Sequence, residues 1–135
     1  MIMETLFTKI VRREIPAKIV YEDKDVIAFL DISQNTLGHT LVIPKLHTES
    51  VLSADSDTVA KVNIVAQKLA KDLVKIFDAK GVNILTNANP VAGQTVHHYH
   101  VHILPRYTKE ELVFKTVETH YNIDQVHHKI LHFYE

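Results

Sequence analysis

The sequence predicts a mixed α+β fold, and three observations carry that reading. Five short runs have strand character, one long stretch has helical periodicity, and turn-forming residues separate them.

Taken in order, Phe7–Arg13 reads as a short helix that Ile15-Pro16 ends, because the residue before proline avoids helical dihedrals. Ile19-Val20-Tyr21 and Val26–Leu30 flank the charged turn Glu22-Asp23-Lys24-Asp25, which predicts a β-hairpin. Thr40–Ile43 forms a third strand closed by Pro44. From about Asp55 to Ala79, Val59, Val62, Val65, Leu69, Leu73 and Ile76 recur three or four apart, with Lys61, Lys68, Asp72 and Lys75 between them. That spacing makes one long helix with a single buried stripe. Ser53 or Asp55 is placed to cap its start, and Gly81 to form a left-handed C-terminal cap. Val82–Thr86 and Val96–Leu104 are two further strands, joined antiparallel through the Asn87–Gly93 loop. Asn122–Phe133 is a last helix with Ile123, Val126, Ile130 and Phe133 on one face.

At 135 residues, with 46% hydrophobic side chains, the chain has the size of one domain, spanning 1–135. Fifteen basic side chains against sixteen acidic ones leave no basic footprint for a nucleic-acid polymer. The absence of cysteine removes disulfides, thiol catalysis and thiolate metal ligands. Met1–Arg13 lacks the apolar core of a signal peptide, and no window has the roughly 18 apolar residues of a membrane span. A cytoplasmic location without membrane contact is the expectation.

The chemistry concentrates in His98-Tyr99-His100-Val101-His102-Ile103-Leu104. On an extended backbone the three histidines share one face and Tyr99, Val101 and Ile103 the other. A solvated strand face would explain two such histidines; three in register beside a glycine turn point to a site. One candidate is zinc, which accepts imidazole nitrogens, although this segment offers no carboxylate and the chain no thiolate. The other is nucleophilic attack at phosphorus by a neutral imidazole whose neighbours hold its tautomer and donate to phosphate oxygens. Gly93 lets the backbone approach an anion, and Gln94, Thr95 and Asn87 supply neutral polar groups nearby.

The run Ala92–Arg106 resembles the motif of the histidine triad family, in which histidines alternate with hydrophobic residues. Lys9–Val20, Phe29–Ser33 and Gly38–Lys45 are similar to its Hint branch, so the resemblance covers about residues 5–106 and leaves 107–135 as a C-terminal extension. It implies a five-stranded antiparallel sheet with one long helix and short terminal helices, paired into a homodimer. It also implies hydrolysis at a nucleotide α-phosphate through a covalent nucleotidyl-histidine, with no cofactor. By that resemblance His100 is the nucleophile, His98 orients it, His102 contacts the α-phosphate and His39 completes a proton network. Asp31 binds the ribose hydroxyls, Leu6, Phe7, Ile10, Phe29, Ile32 and Leu41 hold the base, and Asn87, Gln94 and Thr95 contact the phosphate or leaving group, with Gly93 and Val96 also counted in the nucleotide site.

Many bacterial relatives carry a Cys-x-x-Cys pair that helps bind structural zinc, and Thr5 and Thr8 stand there instead. No metal is therefore expected, although His47 is present. The leading expectation is a purine nucleoside phosphoramidase. Cleavage of dinucleoside polyphosphates and non-catalytic nucleotide binding by a regulator or scaffold are the alternatives.

Overall fold

The structure is a computed structural model that describes residues 4–135; residues 1–3 of the expected domain span lie outside the described residues. Helix α1 (Leu6–Val11) starts at Thr5 through a reciprocal capping box. The Thr8 backbone N–H donates to the Thr5 hydroxyl at 3.2 Å, and the Thr5 N–H to the Thr8 hydroxyl at 2.7 Å. Two donors that a helix start leaves unpaired are thus satisfied.

Strands β1 (Ile19–Glu22) and β2 (Val26–Leu30) form the expected hairpin, with Asp23 Oδ1 accepting from the N–H groups of both Asp25 and Val26 at 2.8 Å. Strand β3 (Thr40–Pro44), helix α2 (Ser56–Phe77), strands β4 (Gly81–Leu85) and β5 (Val101–Arg106), and helix α3 (Ile123–Phe133) follow. The strands form one sheet in the order β1-β2-β3-β5-β4, with every neighbouring pair antiparallel. The fold is therefore the expected α+β arrangement.

Both faces of the central strands are covered. Val26, Ala28, Val42, Val101 and Ile103 pack against Val62, Val65, Ala66, Leu69, Ala70 and Leu73 of α2. The alternate residues Ile27, Phe29, Leu41 and Ile43 pack on the opposite face against Phe7 and Ile10 of α1. This double coverage explains why β2 and β3 read as continuous apolar runs rather than alternating ones.

Several local expectations change. The histidine strand begins at Val101, not Val96, so of the three histidines only His102 lies in β5, while His98 and His100 precede it in irregular backbone. Pro105 stays inside β5 because the last β3 pairing is Thr40 with Ile103, so its missing N–H removes no bond on that side. Asp55 caps α2, accepting from Thr58 N at 2.7 Å, whereas the Ser53 hydroxyl turns to Ser50 and Thr48. The left-handed C-cap is Asp78 (φ 52°), and Gly81 instead opens β4; a short polar side chain tolerates that conformation. Ile76 is exposed, and Ala66 and Ala70 complete the buried stripe.

Candidate active site

His102 pairs in register with Leu41 of β3 and Leu85 of β4, which places it mid-sheet. Its neighbours Val101 and Ile103 face α2, so strand alternation turns His102 to the α1 side.

His39 immediately precedes β3 and is fully buried. Its Nδ1 lies 3.1 Å from the Ser33 carbonyl and its Nε2 lies 3.0 Å from His102 Nδ1. A carbonyl only accepts, so His39 Nδ1 carries hydrogen and its Nε2 accepts from His102 Nδ1–H. The outward Nε2 of neutral His102 keeps its lone pair. Asp31 Oδ2 lies 3.7 Å from His39 Nε2, and its negative charge works against the downward shift of His102.

The same reasoning fixes His100. Its Nδ1–H donates to the His98 carbonyl at 2.7 Å, which leaves Nε2 unprotonated and nucleophilic. The His100 carbonyl accepts from Thr86 Oγ1 at 2.6 Å, and the Phe7 ring stands edge-on to the imidazole at 5.1 Å between centroids. Thus the ring is held from its backbone and from α1. His102 completes the group at 4.9 Å from the His100 ring.

The His98 side chain is placed apart from this group. Its Nε2–H donates to the Pro44 carbonyl at 2.8 Å, and its ring packs against Phe7 and perpendicular to His47. Its buried Nδ1 has no hydrogen-bond partner among the described residues. The contact that orients His100 therefore comes from the main chain of residue 98, not from its imidazole.

Burial holds all three imidazoles neutral at pH 7. It lowers His98 to about 4, with His47 and His100 adding repulsion, and lowers His102 to about 4, with repulsion from His100 and His39. Burial is also the largest cause of the downward shift at His100, partly countered by the bond to the His98 carbonyl and by Asp31.

A loop brackets the group. Gly93 ends the 3₁₀ turn Pro90–Ala92 at φ 102°, and a Cβ there would lie 3.4 Å from Asn87 Nδ2. Buried Gln94 uses both ends of its amide inside the protein: Oε1 accepts from Asn89 N, and Nε2 donates to the Glu49 and Val96 carbonyls. Its side chain braces the loop, while Thr95 is exposed. Asp31 Oδ1 accepts from Ser33 N at 2.8 Å, and Asp31 remains partly accessible.

Of the expected base-pocket residues, Phe7, Ile10, Phe29 and Leu41 share one buried cluster with Val96 against it. Leu6 is half-exposed on α1, and Ile32 is fully exposed. Sequence reading missed Thr86 and Gln34, whose Nε2 donates to the Asp31 and His39 carbonyls at 2.6 and 2.8 Å. Neither residue carries a motif. The carbonyls of Ser33, Pro44 and His98 were equally invisible, since main-chain acceptors leave no mark in residue identity.

The positions implied for structural zinc do not supply a full ligand set. The hydroxyls of Thr5 and Thr8, which stand in place of thiolates, are occupied in the α1 capping box; His47 and His98 donate through Nε2 to the carbonyls of His97 and Pro44, which leaves only their two Nδ1 atoms as ligands, short of the four a structural zinc takes. Elsewhere, Asp31, His39 and His102 bring possible ligand atoms within 4.8 Å, but two of those atoms already share a proton across 3.0 Å.

The fold and site together define a class: an antiparallel sheet with a long helix on one face and a buried imidazole group, one nitrogen free to attack, on the other. Residues 12–109 match the HIT domain model, and the chain belongs to the HIT family. It is 44% identical over 115 residues to the protein hit of Bacillus subtilis (strain 168), covering 85% of this chain and 79% of that protein. The crystal structure of SMU.412c from Streptococcus mutans UA159 matches at a TM-score of 0.88 with 43% identity, covering 96% of this chain and 85% of that one. A histidine triad nucleotide-binding protein from Candida albicans matches at 0.82 with 28% identity, covering 96% of each chain.

Proposed function

We propose that this chain hydrolyses purine nucleoside 5′-phosphoramidates, or related nucleotidyl conjugates, at the α-phosphorus through a covalent nucleotidyl-His100. The supporting observation is the His100 Nδ1–H bond to the His98 carbonyl, which leaves Nε2 with a lone pair on a neutral ring. Similarity to the Candida albicans nucleotide-binding protein supports a nucleotide as the ligand.

In this reading His100 Nε2 forms a P–N bond as the bond from phosphorus to the leaving group breaks. The leaving amine takes a proton from the His39–His102 pair. Burial keeps His102 neutral in the empty site, but the bound phosphate anion and Asp31 both favour its protonated form. Water then attacks phosphorus, the P–N bond breaks, AMP or GMP departs, and the pair regains its proton.

Asp31 accepts from the ribose hydroxyls through its accessible oxygen. The base lies at the edge of the Phe7, Ile10, Phe29 and Leu41 cluster, with Leu6 and Ile32 at its rim. Asn87, Thr95 and the backbone around Gly93 meet the phosphate, and Gln94 holds that loop in place.

The test is mass spectrometry after an alkaline denaturing quench, which preserves a P–N bond, and steady-state turnover with adenosine 5′-phosphoramidate, with a diadenosine polyphosphate assayed alongside. The wild type accumulates an adenylyl adduct and His100→Gly loses turnover by more than about 10³-fold. Full activity in His100→Gly, or turnover without any trappable adduct, would overturn the reading. Preferential cleavage of the diadenosine substrate would move the specificity to dinucleoside polyphosphates.

A further inference from the structure

We propose that Gln34 is a positioning residue for the candidate active site: its side-chain amide holds Asp31 and His39 in register with the His102 imidazole. Strands β2 and β3 pair to their ends, Leu30 opposite Thr40, so Asp31 and His39 are the first residues beyond the ladder. One backbone bond joins them there, from Asp31 N–H to the His39 carbonyl at 3.1 Å. Both side chains then turn to the same residue. Ser33 N–H donates to Asp31 Oδ1 at 2.8 Å, and the Ser33 carbonyl accepts from His39 Nδ1–H at 3.1 Å. Whatever fixes Ser33 relative to the strand ends therefore fixes the carboxylate and the imidazole together.

Gln34 supplies that connection. It follows Ser33 directly and, although exposed, commits its whole amide to the loop. Nε2 donates to the Asp31 carbonyl at 2.6 Å and to the His39 carbonyl at 2.8 Å, while Oε1 accepts from Gly38 N–H at 2.9 Å. Carbonyls only accept and a backbone N–H only donates, so these three partners fix the amide's orientation. Holding an exposed glutamine in one rotamer opposes its conformational entropy, which marks a triply bonded surface amide as a built feature. The outer side of the loop is tethered separately, by the Tyr107 hydroxyl, which donates to the Leu37 carbonyl at 2.7 Å.

The distances set the consequence. His39 Nε2 accepts from His102 Nδ1–H at 3.0 Å and lies 3.7 Å from Asp31 Oδ2. A hydrogen bond is lost by about 3.6 Å, so a shift of roughly 0.6 Å in His39 breaks its contact with His102. Without the amide, the Asp31 and His39 carbonyls each lose a donor, and the Ser33–Gln34 corner is free to make that shift. The catalytic consequence rests on the hydrolase reading proposed above. There the His39–His102 pair supplies the leaving-group proton and Asp31 the ribose contact, so one loosened corner weakens both.

Proton NMR of the full-length chain with nitrogen-15-labelled histidine, alongside turnover of adenosine 5′-phosphoramidate, tests the role in Gln34→Met and Tyr107→Phe. Gln34→Met keeps the side-chain length and removes all three bonds, whereas Tyr107→Phe releases the same loop without touching Asp31 or His39. In the wild type the Nδ1–H protons of His100 and His102, each hydrogen-bonded, are expected to be protected from solvent exchange. Gln34→Met loses the His102 signal, retains that of His100 and lowers kcat about tenfold, while Tyr107→Phe retains both signals and the wild-type kcat. A wild type without the protected His102 signal, its retention in Gln34→Met, loss of both signals together, equal loss in Tyr107→Phe, or an unchanged kcat in Gln34→Met would each overturn the role. A wild type that turns over no phosphoramidate, with the signals responding as expected, would sink the hydrolase reading alone and leave Gln34 holding the imidazole pair.

Discussion

The Nδ1–H of His100 meets the carbonyl oxygen of His98 at 2.7 Å, so the backbone of its own segment sets the nucleophile's tautomer. Because residue 98 acts through its main chain, replacing its side chain leaves that acceptor in place. His98→Gln is expected to lower kcat by less than about tenfold, against more than about 10³-fold for His100→Gly. Its larger effect is on folding, since it disturbs a fully buried ring that donates to Pro44. A urea-denaturation loss of about 1–2 kcal/mol is expected. A kcat loss equal to that of His100→Gly would restore a direct catalytic role to the His98 imidazole.

Thr86 anchors the same segment from β4's end, its hydroxyl donating to the His100 carbonyl at 2.6 Å. Thr86→Val keeps the shape but leaves a carbonyl without this donor. The expected cost is about 1–2 kcal/mol of stability, with kcat reduced about tenfold and KM nearly unchanged as His100 loses its placement. Thr86→Ser retains the hydroxyl and is expected to recover most of the kcat. A change confined to KM would assign Thr86 to substrate binding instead.

The buried histidines also predict an acid-sensitive fold. His98 and His102 are lowered to about 4 mainly by burial, against about 6.5 in the unfolded chain. Between those values the unfolded chain takes up protons that the folded one refuses. Their stabilising contribution is therefore intact above about pH 6.5 and is lost as pH falls towards about 4. For His98 this reaches roughly 3 kcal/mol. Urea titrations from pH 7 to 4.5 should show the decline, with a shallower slope in His98→Gln. Because burial also lowers His100, the acid limb of kcat/KM should fall below the ordinary imidazole range.

How legible this was depends on which interactions residue identity encodes. The α2 stripe and β1–β2 hairpin were readable because one buried face imposes a period and Asp23 offers turn chemistry. The three histidines were readable as a group but not as a geometry. Period 2 predicts one strand face, whereas pairing with β3 starts only at Val101, and the residues before it turn to let His98 reach Pro44 and His100 reach the His98 carbonyl. Gln94 shows the same limit: its polarity suggested a phosphate contact, but the folded loop directs its amide to three backbone partners. The exposure of residues 113–135 was unreadable from α3's periodicity, which marks an apolar face without naming what covers it.

Gly38, directly before His39, ties stability to the site. It adopts φ +92°, and a Cβ there would lie 3.0 Å from the Phe77 ring at the end of α2 and 3.3 Å from Pro105. Gly38→Ala therefore meets both a left-handed backbone penalty and a steric one, with the ring and β5 on the same side. The expected loss is about 2–3 kcal/mol in urea denaturation. Relief of that crowding displaces the backbone entering β3, where Gln34 Nε2 holds the His39 carbonyl and His39 Nε2 meets His102. Turnover should fall further than unfolding alone explains, measured at a temperature where circular dichroism shows the variant fully folded. An active, destabilised Gly38→Ala would confine the glycine's role to packing against α2, and unchanged stability would refute the steric argument itself.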